Sequence, residues 1–226
     1  ATASGFRTAP KTKMLSPAIL ALALLGQSPT PPPDHKLLAM GREKWSEAYG
    51  EQNGWSTMAM CDAQTLWGEA AQRRNDNLLR KRSEQDRKDF SALRKPLLEF
   101  QFEMTDVRRC FTGGGTMWNP VFAGALGDRE DVLFSILNGQ GKAKKAMVVS
   151  DVTKVFDLAA KDIEANEFMD SFVEDLGKAS ANKHLAEARK QFDAVVEVLK
   201  RRPRRESDLV LEFAAREVDL SDLREP

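Results

Sequence analysis

The sequence predicts an all-α fold, an antiparallel helical hairpin or bundle with an additional C-terminal helical unit. Hydrophobic residues make up 42% and charged residues 30% of the 226 residues, a balance that suits a soluble helical protein. Apolar residues recur at three- and four-residue spacing over most of the chain, which is the pattern of amphipathic helices. Strand signals are nearly absent, since only residues 146–149 approach a run of alternating β-branched residues.

The N-terminal segment has the composition of a secretory signal. Residues 1–33 contain three basic residues and no acidic residue. Residues 14–25 form a largely apolar run, and residues 26–28 supply small residues before a proline-rich stretch. This arrangement predicts export, and therefore a periplasmic or secreted protein. The run is also too short to span a bilayer, which needs about 20 apolar residues, so we expect no stable membrane span in the mature protein.

Two other interpretations of this segment stay open. Organelle transit peptides are likewise rich in Ser and Thr and poor in acidic residues, and a buried helix can be equally apolar. With the leader set apart, the sequence divides into three parts: a leader with a proline-rich linker over residues 1–33, a helical domain over residues 34–140 and a helical unit over residues 141–226.

Helical periodicity places the elements of the middle part. Residues 34–49 form a first helix after the cap at Asp34, and a second helix starts near Ser56 and continues to Leu78. Residues 80–88 are polar nearly all round, so they either protrude into water or connect the two arms of a hairpin. A third helix covers residues 89–110.

Glycines punctuate the second half of the chain. After a glycine-rich loop we expect a short helix over residues 128–137 and a long one from Asp151 to Leu176, where Gly177 follows. Further helices are predicted from Ser180, which can act as an N-cap, to residue 199, and over residues 207–218.

Charge and histidine content exclude several functional classes. Lys plus Arg equals Asp plus Glu at 34 each, so the global charge predicts no nucleic-acid or membrane partner. Neither His35 nor His184 has a Cys, Asp or Glu at ligand spacing, and we therefore expect no metal, no cofactor and no catalytic activity. The basic cluster at residues 200–205 fits either an acidic partner or a solvated helix end.

The two cysteines of the chain, Cys61 and Cys110, lie in the second and third predicted helices. If those helices form an antiparallel hairpin, the two ends meet, and a disulfide there closes a loop of about 50 residues and contributes roughly 3–4 kcal/mol. The alternative is a pair of buried reduced thiols. Because the leader predicts an oxidising compartment, we expect the disulfide.

Short motifs between residues 58 and 137 follow the order typical of one family. They are Met58-Ala59-Met60-Cys61, Arg73-Arg74-Asn75-Asp76-Asn77, Leu93-Arg94, Phe102 eight residues before Cys110, Gly113-Gly114-Gly115-Thr116, and Arg129 before Leu133. The series resembles the LprI-type lysozyme-inhibitor domain. It departs from that family at Arg108-Arg109, where Arg-Asp is usual, and at Val121, near which the family has a further Cys.

The resemblance implies an exported helical protein that binds a protein rather than catalysing a reaction, with lysozyme as the expected target. Inhibition would require a loop to enter the glycosidase cleft, where two carboxylates work. We expect the segment at residues 112–120 to do this, with Trp118 near its tip and with Gly114, Gly115 and Thr116 as partner-binding residues.

Two alternatives come from other functional classes. One is a non-catalytic structural subunit of an organelle or membrane assembly, in which residues 1–33 form an extended arm on a partner. The other is a helical enzyme or ligand-binding module with a pocket between the two helical units, lined by converging charges such as Glu99, Glu103 or Asp106.

Overall fold

The structure, a computed structural model, describes residues 57–115, 118–139, 141–171 and 176–223. Over these residues it contains no strand and confirms the all-α class. The predicted leader at residues 1–33 and the predicted helix at residues 34–49 lie outside the described residues. The six described α-helices are α1 (Thr57–Leu79), α2 (Glu84–Phe111), α3 (Trp118–Leu137), α4 (Val149–Ala165), α5 (Lys178–Leu199) and α6 (Arg204–Val218). Two short 3-10 helices cover Glu167–Ser171 and Ser221–Leu223.

The polar stretch after α1 divides between a tight turn over residues 80–83 and the first residues of α2. Helix α2 begins at Glu84, five residues before the predicted start, because Ser83 caps it. The Ser83 hydroxyl oxygen accepts a hydrogen bond from the Asp86 amide at 3.1 Å, which satisfies one of the unpaired N–H groups of the first turn. Pro96 lies inside the helix.

Helix α3 is ten residues longer than predicted, since it begins at Trp118 and includes Gly124 and Gly127. In the sequence these glycines look like helix breakers. In the fold they allow α3 to approach α1 closely, and a Cβ built on Gly127 would lie 3.7 Å from the Cα of Gly68. Tertiary packing therefore overrides the low helix propensity of glycine here.

The long predicted helix after Asp151 is interrupted. Helix α4 ends at Ala165, and Asn166 adopts an extended conformation with ψ 97°. The Asn166 side-chain oxygen accepts a hydrogen bond from the Met169 amide at 3.3 Å, and the Glu167–Ser171 3-10 helix follows. Helices α5 and α6 begin two to three residues earlier than predicted, after Gly177 and Pro203.

Helices from both sides of residue 140, the predicted domain boundary, pack against one another. Helix α1 packs mainly on α3, α2 packs mainly on α5, and α4 packs on α5 and α6. Three buried phenylalanines from α2, α4 and α5 meet at the centre of the core, with ring centroids 5.8–6.3 Å apart. They are Phe100, Phe156 and Phe192. Residues on both sides of position 140 thus share one hydrophobic core. No helix in the described ranges is long and apolar enough to cross a membrane.

Candidate functional site

The glycine loop after α2 is built by left-handed backbone conformations. Gly113, Gly114 and Gly115 have φ angles of 80°, 81° and 113°, which residues with a side chain rarely adopt. The Gly114 amide donates a hydrogen bond to the carbonyl oxygen of Arg109 at 2.8 Å, so the loop also closes the end of α2. The loop is therefore a shaped turn that needs glycine.

The predicted partner-binding residues have different environments. A Cβ on Gly114 would lie 3.0 Å from Leu176, so Gly114 packs against the chain beyond α4. A Cβ on Gly115 would meet no atom of the described residues within 4 Å, and Gly115 is exposed. Thr116 lies outside the described residues.

Trp118 does not lie near the tip of the glycine loop, where it was predicted. It is the first residue of α3, it is only partly exposed, and its Nε1 donates a hydrogen bond to the Thr112 hydroxyl oxygen at 3.1 Å. The indole ring therefore ties the two ends of the glycine loop together. A sequence cannot show this, because the contact depends on where α3 starts.

A cleft of about 730 Å³ lies on one side of Thr112. Its wall includes Phe168, of which 58% of the surface is exposed. This side chain is exposed because α4 ends before it, and the break at Asn166 changes the helical phase. The lining residues are Phe111, Thr112, Asp162, Ala165, Asn166, Glu167, Phe168 and Leu223.

A second cleft of about 540 Å³ includes Trp118 and the half-exposed Val121. Arg108 also lines it, and Arg108 Nη2 donates a hydrogen bond to the carbonyl oxygen of Asp219 at 2.9 Å at the end of α6. Arg108 also pairs with Asp222 at 3.4 Å. The first arginine of the Arg108-Arg109 departure thus anchors the C-terminal segment beside the glycine loop.

The two clefts and the loop between them form one surface at this end of the helices, which we call the glycine-loop face. Thr112 joins them, because it lines the first cleft and accepts the hydrogen bond of Trp118 from the second. The face is defined by Thr112, Gly115, Trp118, Val121, Phe168 and Leu223.

The predicted Cys61–Cys110 disulfide is not present in the structure. Its premise was that α1 and α2 pack as a hairpin, whereas the main neighbour of α1 is α3. Cys110 is fully buried in the core, and burial raises the pKa of its thiol, although a hydrogen bond with Ser180 and the charge of Arg109 act in the opposite direction. Burial and Asp62 likewise raise the pKa of Cys61, so neither thiol is activated as a nucleophile.

Four charged or amide side chains of the motif series converge inside the fold. Asn75 on α1 donates hydrogen bonds to the Glu130 carbonyl oxygen at 2.6 Å and to Glu130 Oε2 at 2.8 Å. Arg94 on α2 pairs with Asp76 at 2.5 Å and with Glu130 at 3.1 Å. Arg129 pairs with Glu130 at 2.6 Å and donates to the Arg94 carbonyl oxygen at 3.0 Å. Motif residues from three helices therefore form one cluster, which we call the Glu130 network.

The centre of the Glu130 network is buried, although the Asp76 side chain at its edge is 41% exposed. Asn75 and Glu130 are fully inaccessible, and Arg129 is 4% exposed. Burial lowers the pKa of the Arg129 guanidinium, while the adjacent Glu130 carboxylate raises it. The effect of the network is to fix α1, α2 and α3 relative to one another.

Of the three carboxylates predicted to line a pocket between the helical units, two share a cleft and the third does not. Glu99 and Glu103 on α2 face α5 across a cleft of about 870 Å³, where His184 Nδ1 lies 2.6 Å from Glu103 Oε2. Asp106 instead pairs with Arg109 at 2.8 Å. No Ser, Thr or Cys is among the residues that line this cleft, so the arrangement lacks a nucleophile for a triad. Within the described ranges, no three potential metal ligands are grouped.

Comparison of the chain with protein-family models, with curated proteins and with solved structures found no match.

Proposed function

We propose that this protein is a non-catalytic helical module that binds another protein through the glycine-loop face, and that it is an exported protein of the lysozyme-inhibitor type. The proposal is supported by the exposed backbone at Gly115, which lies in the loop that joins Thr112 of the first cleft to Trp118 of the second. Aromatic side chains such as Phe168 and Trp118 are enriched at protein interfaces.

The glycine-loop face has the physical character of a binding surface. Phe168 is 58% exposed and Val121 is 47% exposed, although both are large apolar side chains. Removal of such surface from water contributes about 25 cal/mol per Å², which is available to a partner that covers the face. Thr112 and Asn166 line the first cleft and supply polar groups that can orient the partner.

The Glu130 network supports the finer part of the proposal. Asn75, Asp76, Arg94 and Arg129 belong to the motifs that resemble the lysozyme-inhibitor family, and all four meet at one place in the fold. On this account the network is structural and the glycine-loop face is functional.

Inhibition would depend on occupation of the glycosidase cleft rather than on chemistry. The glycine loop can approach the two catalytic carboxylates of a lysozyme closely, because Gly115 presents backbone without a side chain. Trp118 contributes by keeping the loop closed through its hydrogen bond to Thr112. The effect of Trp118 is thus to hold the loop in the shape that a partner recognises.

The test is lysis of a bacterial cell-wall suspension by a purified lysozyme in the presence of the protein. We expect the wild-type chain to slow lysis and Trp118→Ala to weaken inhibition by at least tenfold. Trp118→Phe keeps the ring and loses the donor, so it should have an intermediate effect. Val148→Ala is the matched control. Val148 is an apolar residue that is 46% exposed, and it directly precedes the first residue of α4, at the opposite end of that helix from Ala165 of the first cleft.

The thermal unfolding of each variant is measured in parallel, so that loss of the fold is distinguished from loss of the loop. Equal inhibition by wild type and a folded Trp118→Ala variant would remove the glycine-loop face as the binding surface. Absence of any inhibition or binding by the wild type would contradict the lysozyme proposal.

A further inference from the structure

Charge is segregated in this protein although its net charge is zero. Residues 80–89, 141–142 and 200–206 contain eleven cationic and four acidic side chains, and they come from three distant parts of the sequence. The rest of the chain therefore carries an equal excess of acidic residues. Composition alone hides this segregation, and only the fold shows whether the three segments meet.

The fold brings these segments to one end of the helices. Arg82 in the α1–α2 turn donates a hydrogen bond to the Leu137 carbonyl oxygen at the end of α3. Arg205 at the start of α6 donates to the carbonyl oxygens of Gly139 and Gly141, just beyond the same helix end. Two arginines that are separated by more than 100 residues in sequence thus converge on one helix C-terminus, whose partial charge is negative.

A third contact joins the α5–α6 turn to the start of α2. Arg202 pairs with Asp86 at 2.6 Å and with Glu206 at 2.7 Å. Arg201 pairs with Asp89 at 3.3 Å. We call the surface formed by these segments the basic pole, and its members with an exposed cation are Arg80, Lys81, Arg82, Arg87, Lys88, Lys142, Lys200, Arg201, Arg204 and Arg205.

The acidic residues of the pole are already engaged, whereas many of its cations are not. Asp86, Asp89 and Glu206 are held by Arg201 and Arg202, and Glu84 pairs with Lys88 at 2.7 Å. Six exposed cations make no ion pair with a carboxylate in the described ranges. These are Arg80, Lys81, Arg82, Arg87, Lys142 and Arg205. The pole therefore presents uncompensated positive charge to solvent.

We propose that the basic pole is a second interaction surface, distinct from the glycine-loop face, that binds a short acidic protein segment rich in Asp and Glu. Arginine and lysine side chains match carboxylates in charge, and arginine can bind them with two parallel hydrogen bonds. Binding of such a segment is steered by the local field and is weakened by salt.

The side chains of the pole favour an acidic segment over a nucleic acid. The segments of the pole offer no exposed aromatic side chain on which a base could stack, since Phe90 lies buried beneath Arg202. A segment of a few acidic residues requires no stacking platform.

The experiment uses the full chain and a fluorescent peptide of ten glutamates, with binding followed by anisotropy at 50 mM and 200 mM salt. The test variant is Lys81→Gln/Arg87→Gln/Lys142→Gln, which avoids the arginines that hold the fold together. The control variant Lys95→Gln/Lys161→Gln/Lys183→Gln removes the same charge from exposed positions outside the pole. We expect the test variant to lose affinity about tenfold and the control to change less than about twofold.

Three results would overturn the proposal. The first is no detectable binding of the peptide by the wild-type chain at 50 mM salt. The second is an equal loss of affinity in both variants, which would mean that net charge alone governs binding. The third is tighter binding of a 20-base-pair DNA duplex than of the peptide, which would assign the pole to nucleic acid instead.

Discussion

The two halves of this protein are held together by different physical means. Helices α1 and α3 meet through small residues and a buried ionic cluster, whereas α2, α4 and α5 meet through aromatic rings. At the first interface, Gly68 faces Leu126 so closely that a Cβ on Gly68 would lie 2.8 Å from the Leu126 Cγ. At the second, the rings of Phe100, Phe156 and Phe192 fill the space.

The two kinds of contact should tolerate amino-acid substitutions to different degrees. An aromatic core stabilises without directional demands, so an apolar side chain of similar volume replaces another at modest cost. A buried ionic cluster demands that every partner be present, because each remaining charge is left without water when one is lost. We therefore expect single substitutions to lower the free energy of unfolding strongly at the α1–α3 interface and only modestly in the α2–α4–α5 core.

The substitution with the greatest expected loss of stability removes the shared carboxylate of the Glu130 network. Glu130→Ala leaves Arg94 and Arg129 without their shared carboxylate in a buried site. We expect a loss of about 3–5 kcal/mol in the free energy of unfolding, measured by urea denaturation. The control is Glu197→Ala, which removes the partner of Lys200 from a pair that is more than 60% exposed on both sides. That control should cost about 0–1 kcal/mol, and equal losses would contradict the contrast between buried and exposed pairs.

A smaller effect tests the close approach of α1 and α3. Gly68→Ala places a methyl group 2.8–2.9 Å from three carbons of Leu126, so we expect a net loss of about 1–3 kcal/mol. Gly124→Ala is the matched control, since its methyl group would meet only the end of the flexible Gln64 side chain at 3.1 Å. There the higher helix propensity of alanine should make the variant neutral or slightly more stable. A Gly68→Ala variant as stable as Gly124→Ala would show that the interface is looser than the structure indicates.

A third substitution measures the tolerance of the aromatic core. Phe192→Leu keeps an apolar side chain, smaller than the ring, between Phe100 and Phe156. We expect a loss of about 1–1.5 kcal/mol and a cooperative unfolding transition, measured by the same denaturation experiment. If Phe192→Leu cost as much as Glu130→Ala, the two halves would not differ in tolerance.

The smallest effect depends on pH. A hydrogen bond from Arg202 holds the pKa of Asp86 below its usual value of 3.8, although partial burial acts in the opposite direction. Because the folded state has the lower pKa, this carboxylate stabilises the protein above that value and loses its effect as the pH falls through the folded pKa. Asp86→Asn should cost about 1 kcal/mol at pH 7, and the difference from wild type should shrink below about pH 4. A difference in unfolding free energy that stays constant from pH 7 to pH 3 would contradict this role.

Much of the fold could be predicted from the sequence because amphipathic periodicity dominates it. The all-α class and the ends of α1 and α6 follow from apolar spacing and from residues that stop helices. The start of α3 could not be predicted, because Gly124 and Gly127 favour a break locally and are helical where they pack against Gln64 and Gly68 of α1. Knowledge of the partner helix is needed for that inference.

The candidate site was predictable only in outline. The three glycines mark a turn by their composition, but the exposure of Phe168 depends on a helix break at Asn166 that has no proline or glycine signal. The disulfide prediction was wrong because it assumed that neighbours in sequence are neighbours in the bundle. In a hairpin α2 would pack beside α1, whereas in this protein the main neighbour of α1 is α3.

Hydrogen–deuterium exchange with and without a purified lysozyme tests whether the glycine-loop face binds a partner protein. We expect slower exchange in peptides that cover residues 111–118 and 166–171, with little change in α1 and in the basic pole. Unchanged exchange throughout, or protection confined to the basic pole, would rule out binding through the glycine-loop face.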